Sequence, residues 1–350
     1  MHPDLTSAFL RWALLRAALA RGWWLATAVY LVVVVDLSPF QLILVGVFQG
    51  VTVVIAEVPA GVLADGVSRR LALVLAHVVI GAGMAMTGFV TEFPLLVVSN
   101  CLWGLGWALS SGADVAWITD ELDRPDLINR VLAAQARRDL MGTALGIVVF
   151  GTLAWATTLS IAIVVAGLAM IGLGVLLVAR WPETRFAPVD VGSRWAESGA
   201  TLRRGVAVVR ADRLILLVLI ATLFVNGAAE GFGRLVQRRV VLLGLPKDPD
   251  PIVWFAAIAL LAAALGAMTL RIVEARMDGN GVARRVYVAA CAVGVAGLLV
   301  FAHAPNAASA VAGSLLVSGI AFPITRLGGT DSVRSARWLL ESPGCAAPAR

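Results

Sequence analysis

Apolar runs of about twenty residues recur along the chain, separated by short clusters of Arg, Asp, Pro and Gly. A run of that length crosses the hydrocarbon core of a bilayer as a helix, because only helices and closed barrels satisfy every backbone amide there. The pattern therefore predicts an all-α polytopic membrane protein. Read against the Pro, Gly and charge punctuation, the 350 residues give ten spans, near 15–35, 41–64, 71–90, 94–118, 139–156, 159–180, 214–233, 252–270, 286–303 and 307–324. Composition agrees: 60% of residues are apolar and 14% charged, against about 45–50% and about 25% in soluble domains. With a mean hydropathy of +0.89, soluble globular and disordered classes are both excluded.

The net charge of +6 belongs to the membrane pattern rather than to a nucleic-acid face. Of 28 basic residues, 27 are Arg and one is Lys247, and they lie between the apolar runs. With the N-terminus in the cytoplasm, 24 of them fall on the cytoplasmic side and four, Arg234, Arg238, Arg239 and Lys247, outside. Arg11, Arg16 and Arg21 interrupt the first turns, and no small-residue cleavage pattern follows Val35, which argues against a signal peptide. The longest connection, 181–213, carries Trp195, Leu202, Val206 and Val209 at helical spacing beside Arg203, Arg204 and Arg210. This predicts a helix lying on an anionic membrane surface. The expected organisation is a six-helix bundle over 1–181, a cytoplasmic loop over 182–213, four helices over 214–324 and a non-membrane tail over 325–350.

After the second span the chain reads Glu57-Val58-Pro59-Ala60-Gly61-Val62-Leu63-Ala64-Asp65-Gly66-Val67-Ser68-Arg69-Arg70. Small residues let the helix end approach its neighbours, and Asp65 can accept charge-assisted hydrogen bonds. The stretch resembles the G-x-L-A-D-R-x-G-R-R signature of the major facilitator superfamily, at the place between spans two and three where that family carries it. Gly66 and Ser68 depart from the pattern. Asn100-Cys101-Leu102-Trp103-Gly104-Leu105-Gly106 is similar to the family's span-four pattern, with Asn100 in place of Arg and Trp103 in place of Gln. Pro182-Glu183-Thr184 resembles the tripeptide that often closes span six, and Gly142-Thr143-Ala144-Leu145-Gly146 the first half of an exporter motif in which Ile147 replaces Pro. Ser111 to Trp117 and Ala229 to Arg234 look like a bacterial drug-exporter branch.

The resemblance implies helical bundles rocking about a central site lined by spans one, four, seven and ten. In span four, Asn100, Trp103, Trp107, Ser110, Asp114, Trp117 and Glu121 follow at intervals of three or four, which on one helix makes a continuous polar and aromatic stripe. Lipid would not tolerate such a stripe, so it should face protein or water. Thr222, Asn226 and Glu230 in span seven, Trp23, Thr27 and Tyr30 in span one, and Ser314, Ser318 and Phe322 in span ten add shorter faces.

Asp114 and Glu230 are the sharpest candidates for proton or substrate exchange, because intramembrane carboxylates are costly. Glu230 precedes Arg234 by four residues, the favourable helical ion-pair order, so neutralisation is the competing reading. Asn226, Asn100, Trp103, Trp107 and Tyr30 complete the candidate cavity residues. Gly61, Asp65, Arg69 and Arg70 form the candidate gate. Glu57 is expected to brace a kink at Pro59, His77 to act as a satisfied interhelical group, and Arg137, Arg138 and Asp139 to snorkel where span five opens.

No cofactor or metal is expected: Cys101, Cys291 and Cys345 are scattered, as are His2, His77 and His303, and no enzyme motif occurs. The expected protein is a monomeric, proton-coupled efflux carrier in a bacterial plasma membrane, with a small hydrophobic or cationic substrate and lipid as its partners and no nucleic acid. Uptake or uniport is the nearer alternative. A transport-incompetent protein or membrane scaffold is the other, because Arg326 to Arg350 holds no span-length apolar run where the family would continue into two further helices.

Overall fold

The computed structural model describes residues 3–188, 191–246, 248–274 and 282–321. The expected tail over 325–350 and the end of the tenth span lie outside the described residues. The helices are α1 Pro3–Val33, α2 Pro39–Gly66, α3 Arg69–Phe89, α4 Phe93–Ser110, α5 Ala113–Leu122, α6 Pro125–Ala156, α7 Leu159–Arg180, α8 Val191–Ala211, α9 Arg213–Leu242, α10 Pro251–Glu274, α11 Val282–Ala302 and α12 Ala307–Leu315, the last continuing as a π-helical segment, Leu316–Ala321. Among the described residues, seven helices are long and apolar enough to cross a membrane, and they coincide with expected spans two to eight. Spans nine and ten fall on shorter apolar helices, and span one on α1.

Local chemistry explains the boundaries. Ser38 and Gln41 form a reciprocal capping box ahead of Pro39, satisfying two of the free amides that open α2. Ser68 accepts from the Leu71 amide to open α3. Span five departs from its expected start at 139. α6 begins at Pro125, because Pro suits a first helical position and neither Gly nor Pro interrupts the next sixteen residues. Span four also departs from expectation: it breaks between Ser110 and Ala113, where Gly112 takes φ of 74°, a conformation that costs a glycine little. The expected continuous stripe is therefore divided, with Asn100, Trp103 and Trp107 on α4 and Asp114, Trp117 and Glu121 on α5.

The chain forms two compact units, Met1–Leu223 with Glu230–Arg238 and Pro246–Ala256, and Phe224–Ala229 with Arg239–Leu245 and Ala257–Arg350. In the first, α1 packs along α6 and α7, α3 along α4 and α7, and α2 along α4. Close approach of α1 and α6 depends on Gly142 and Gly146, where a Cβ would stand 2.3 Å from the Leu14 carbonyl oxygen and 2.1 Å from that of Ala18. These glycines pack helices, the ordinary use of small residues four apart in a membrane. Gly146→Ala would have to push backbone from backbone, so it should lower stability by about 1–3 kcal/mol. Thermal midpoints in detergent check this against Gly172→Ala, where open space surrounds the new methyl group. Equal midpoints for the two variants would contradict the packing account.

In the second unit α11 pairs with α12 and its π-helical continuation, and Gly313 lies where a Cβ would be 2.7 Å from the Phe301 amide nitrogen. Val273, Val286 and Ala290 form a small apolar cluster there.

Candidate functional site

Two constellations stand out in the first unit, an interlock of charged groups at its Arg-rich end and a cavity further along. The interlock begins where α2 turns into α3. Asp65 accepts from Arg194 of α8 and pairs with Arg69 at 3.6 Å. Arg69 also binds the Asp120 carboxylate and donates to the Ala116 carbonyl at 3.0 Å. Arg70 donates from Nη1 to the Trp181 carbonyl at 2.9 Å. Glu183 receives the Arg70 amide at 2.9 Å and the Ser68 hydroxyl at 2.5 Å, placing a negative charge on the N-terminus of α3, where the helix dipole favours it. Glu121 receives the amides of Thr184 and Arg185 at 2.7 and 2.9 Å. One face thus ties together α2, α3, α5, the end of α7 and α8. A shift of any of these helices breaks several charge-assisted bonds together, which is the chemistry of a latch.

Beneath the latch, Phe9, Trp12, Trp117 and Trp181 form an aromatic knot: Trp117 and Trp181 stack with centroids 3.8 Å apart, and Trp12 meets Trp181 edge-on at 5.1 Å. Trp117 Nε1 donates to the Pro182 carbonyl at 2.9 Å. His77 closes the knot's rim, accepting at Nε2 from Trp12 Nε1 at 3.0 Å and facing the Leu73 carbonyl with Nδ1 at 2.6 Å. That arrangement requires the proton on Nδ1 and uses both ring nitrogens.

The cavity holds roughly 360 Å³ of empty space, open solvent included, and is lined by Trp23, Trp24, Thr27 and Ala28 of α1, Asn100 of α4 and Arg234 of α9, with Leu31, Leu42 and Gly233 between them. Trp23 stacks on Trp103 at 6.0 Å with planes 12° apart, and Trp103 stacks on Trp107 at 5.5 Å with planes 9° apart. Arg234 sits over the Trp24 ring at 5.4 Å.

Solved structures place this architecture. The nucleoside transporter NupG, in a mutant form, superposes with a TM-score of 0.75 at 13% identity, covering 95% of this chain and 83% of NupG. The fold is of the major facilitator type. A bacterial homolog of the human lysosomal transporter Spinster, inward-facing and occupied, matches with a TM-score of 0.70 at 14% identity over 98% of this chain and 76% of its own. The inward-open xylose transporter XylE from E. coli matches with 0.57 at 13% identity over 91% and 80%. No protein-family model and no curated protein matches the sequence.

Within this major-facilitator-type fold the sequence candidates separate. Asn100 reaches the cavity, with Nδ2 donating to the Leu96 carbonyl at 3.0 Å. Trp103 and Trp107 extend the indole stack, Trp107 being 48% exposed. Tyr30 turns away from the cavity face expected for it and donates its hydroxyl to the Val90 carbonyl at 3.0 Å, tying α1 to the end of α3. Asn226 is exposed and belongs to the second unit. Glu230 pairs with Arg234, Nε to Oε1 at 2.9 Å, and Asp114 pairs with Arg16 at 3.3 Å. Gly61 is exposed with nothing within 4 Å of a Cβ, so no close approach demands it, whereas Asp65, Arg69 and Arg70 all join the latch.

Two expectations need correction. Glu57 does not brace Pro59; it accepts from Ser111 at 2.9 Å and holds the break in span four. Asp139 lies inside α6 because that helix starts early, so it does not snorkel at an end, and its Oδ1 is buried without a hydrogen-bond partner among the described residues. Reading by sequence also passed over Arg16, which serves Asp114, and Gln49, which receives Arg234 at 2.5 Å. Gln49 sits in an apolar run of α2, and a lone buried amide there was the available signal.

Proposed function

We propose that this chain is a secondary transporter that moves a small compound with a flat, hydrophobic body by alternating access, with proton coupling and efflux as its direction. The cavity carries the reading: two indoles, Trp23 and Trp24, beside a few polar groups, in a fold whose solved examples include transporters of nucleosides and xylose. The latch supports it, since closing and opening one end of a cavity requires a contact that breaks as a unit. The site residues act in three groups. Trp23, Trp103 and Trp107 give stacking area, Asn100, Glu230 and Arg234 give polarity and charge, and Asp65, Arg69 and Arg70 hold the gate. The protein is read as a monomer in a bacterial plasma membrane, N-terminus in the cytoplasm, divided by the 182–213 connection into a first bundle of six spans and a second of four.

Proteoliposomes containing a pH-sensitive dye test the reading. Addition of flat aromatic compounds, tried as neutral, anionic and cationic members, should produce a compound-dependent proton movement with at least one class that empty liposomes lack. Absence of both proton and compound movement for all three classes would overturn transport.

A further inference from the structure

The cavity contains a fixed cation and a displaceable anion. The Arg234 side chain is only 6% exposed, clamped by Gln49 at Nη2 and Glu230 at Nε, and it fills a slot at Gly46 where a Cβ would stand 2.3 Å from Nε. Those two bonds run from Nε and Nη2. Glu230, by contrast, is 57% exposed on its side chain and held by that one arginine. Thr27 lies in the same cavity, 4% exposed, and its hydroxyl has no hydrogen-bond partner among the described residues. Buried polar groups in native proteins are nearly always paired, so an orphan hydroxyl in the same cavity wall as a guanidinium marks the place of a missing acceptor. Among the described residues, no carboxylate lines the cavity. The neighbouring helices α1, α2 and α4 present Trp24, Thr27, Gln49 and Asn100 to it, none of which titrates, which leaves Glu230 as the ionisable group acting on Arg234.

We propose that the cavity takes a flat aromatic carboxylate, bound through Arg234 and Thr27 beside Trp23 and Trp24, and that Glu230 is the counter-ion which the substrate anion displaces. The assignment rests on the transporter reading and names its substrate class. Seating the anion on Arg234 breaks the Glu230–Arg234 pair, and release of the anion restores it. A cationic substrate meets the fixed charge of Arg234 instead and finds no free carboxylate.

Equilibrium dialysis of the purified full chain against 2-naphthoate, 2-naphthamide and 2-naphthylmethylammonium separates the possibilities. Each probe offers the same ring with a different head. The wild type should bind the carboxylate at least about tenfold more tightly than the ammonium. Arg234→Gln should abolish that preference, Arg234→Lys should retain part of it, and Glu230→Gln should bind the carboxylate more tightly than the wild type, because no counter-ion has to be displaced. Equal or tighter binding of the ammonium by the wild type would overturn the proposal, as would no binding of the carboxylate; neither result depends on a variant that folds. Counterflow of the same probes in proteoliposomes distinguishes this from failure of the transporter reading. Carboxylate-selective binding without movement would remove transport and leave the site, whereas movement without charge preference would leave transport and remove the site.

Discussion

Arg16→Met should destabilise the protein by about 3 kcal/mol, because removing one partner of a buried ion pair leaves an uncompensated charge. Arg16 donates to Asp114 at 3.3 Å, and the Asp114 side chain is 10% exposed, held otherwise, among the described residues, by the amide of Val115 at 2.9 Å. Arg16 also acts on Asp139, whose Oδ1 has no partner among the described residues, so one guanidinium balances two carboxylates. That asymmetry makes a pattern. Asp114→Asn should cost less than Arg16→Met, since Arg16 still faces Asp139, and the double variant should be more stable than Arg16→Met alone. Thermal midpoints in detergent, read from loss of the monodisperse peak, give the order. A double variant no better than Arg16→Met would show that the two residues are not coupled.

Trp181→Ala should cost about 3–5 kcal/mol, the usual range for deleting a large buried aromatic side chain. Trp181 is buried, stacked on Trp117 and edge-on to Trp12, and its carbonyl receives Arg70. The alanine variant keeps that backbone acceptor, so it isolates the aromatic knot from the latch above it. Trp181→Phe should recover more than half of the loss. Arg70→Ala, which breaks only the latch contact, should change stability by less than Trp181→Ala. If Arg70→Ala proves the more damaging of the two, the charged network and not the aromatic packing holds this end of the bundle.

The class of fold was legible in the sequence because membrane spans are written in apolar length, a signal that survives without any knowledge of contacts. Seven spans coincide with long helices for that reason. The breaks were harder to read. Ser110 to Ala113 interrupts span four at a glycine, and glycine alone does not distinguish a helix break from close packing, as Gly142 and Gly146 on α6 demonstrate. Asp65, Arg69 and Arg70 were legible as a charged group through their motif, but their partners Arg194, Asp120 and Trp181 lie far along the chain, and one sequence carries no pairing information between distant positions. Of the cavity candidates drawn from periodicity, Asn100 lines it, whereas Tyr30, one turn past Thr27 on its helix, donates its hydroxyl to the Val90 carbonyl. Arg234 was seen as a neutraliser of Glu230; its burial, which makes it the more constrained member of the pair, depends on the slot at Gly46.

Alternating access is the central claim, and Thr27 is the position that tests it, being buried, without a partner among the described residues and in the cavity wall. Thr27→Cys, made in a chain whose Cys101, Cys291 and Cys345 are replaced by Ser, can be exposed to a membrane-impermeant thiol reagent in right-side-out and in inverted vesicles. Alternating access predicts modification from both sides, with the rate from one side rising as the rate from the other falls when a pH gradient is imposed. Modification from one side alone under every gradient, or from neither, would contradict it.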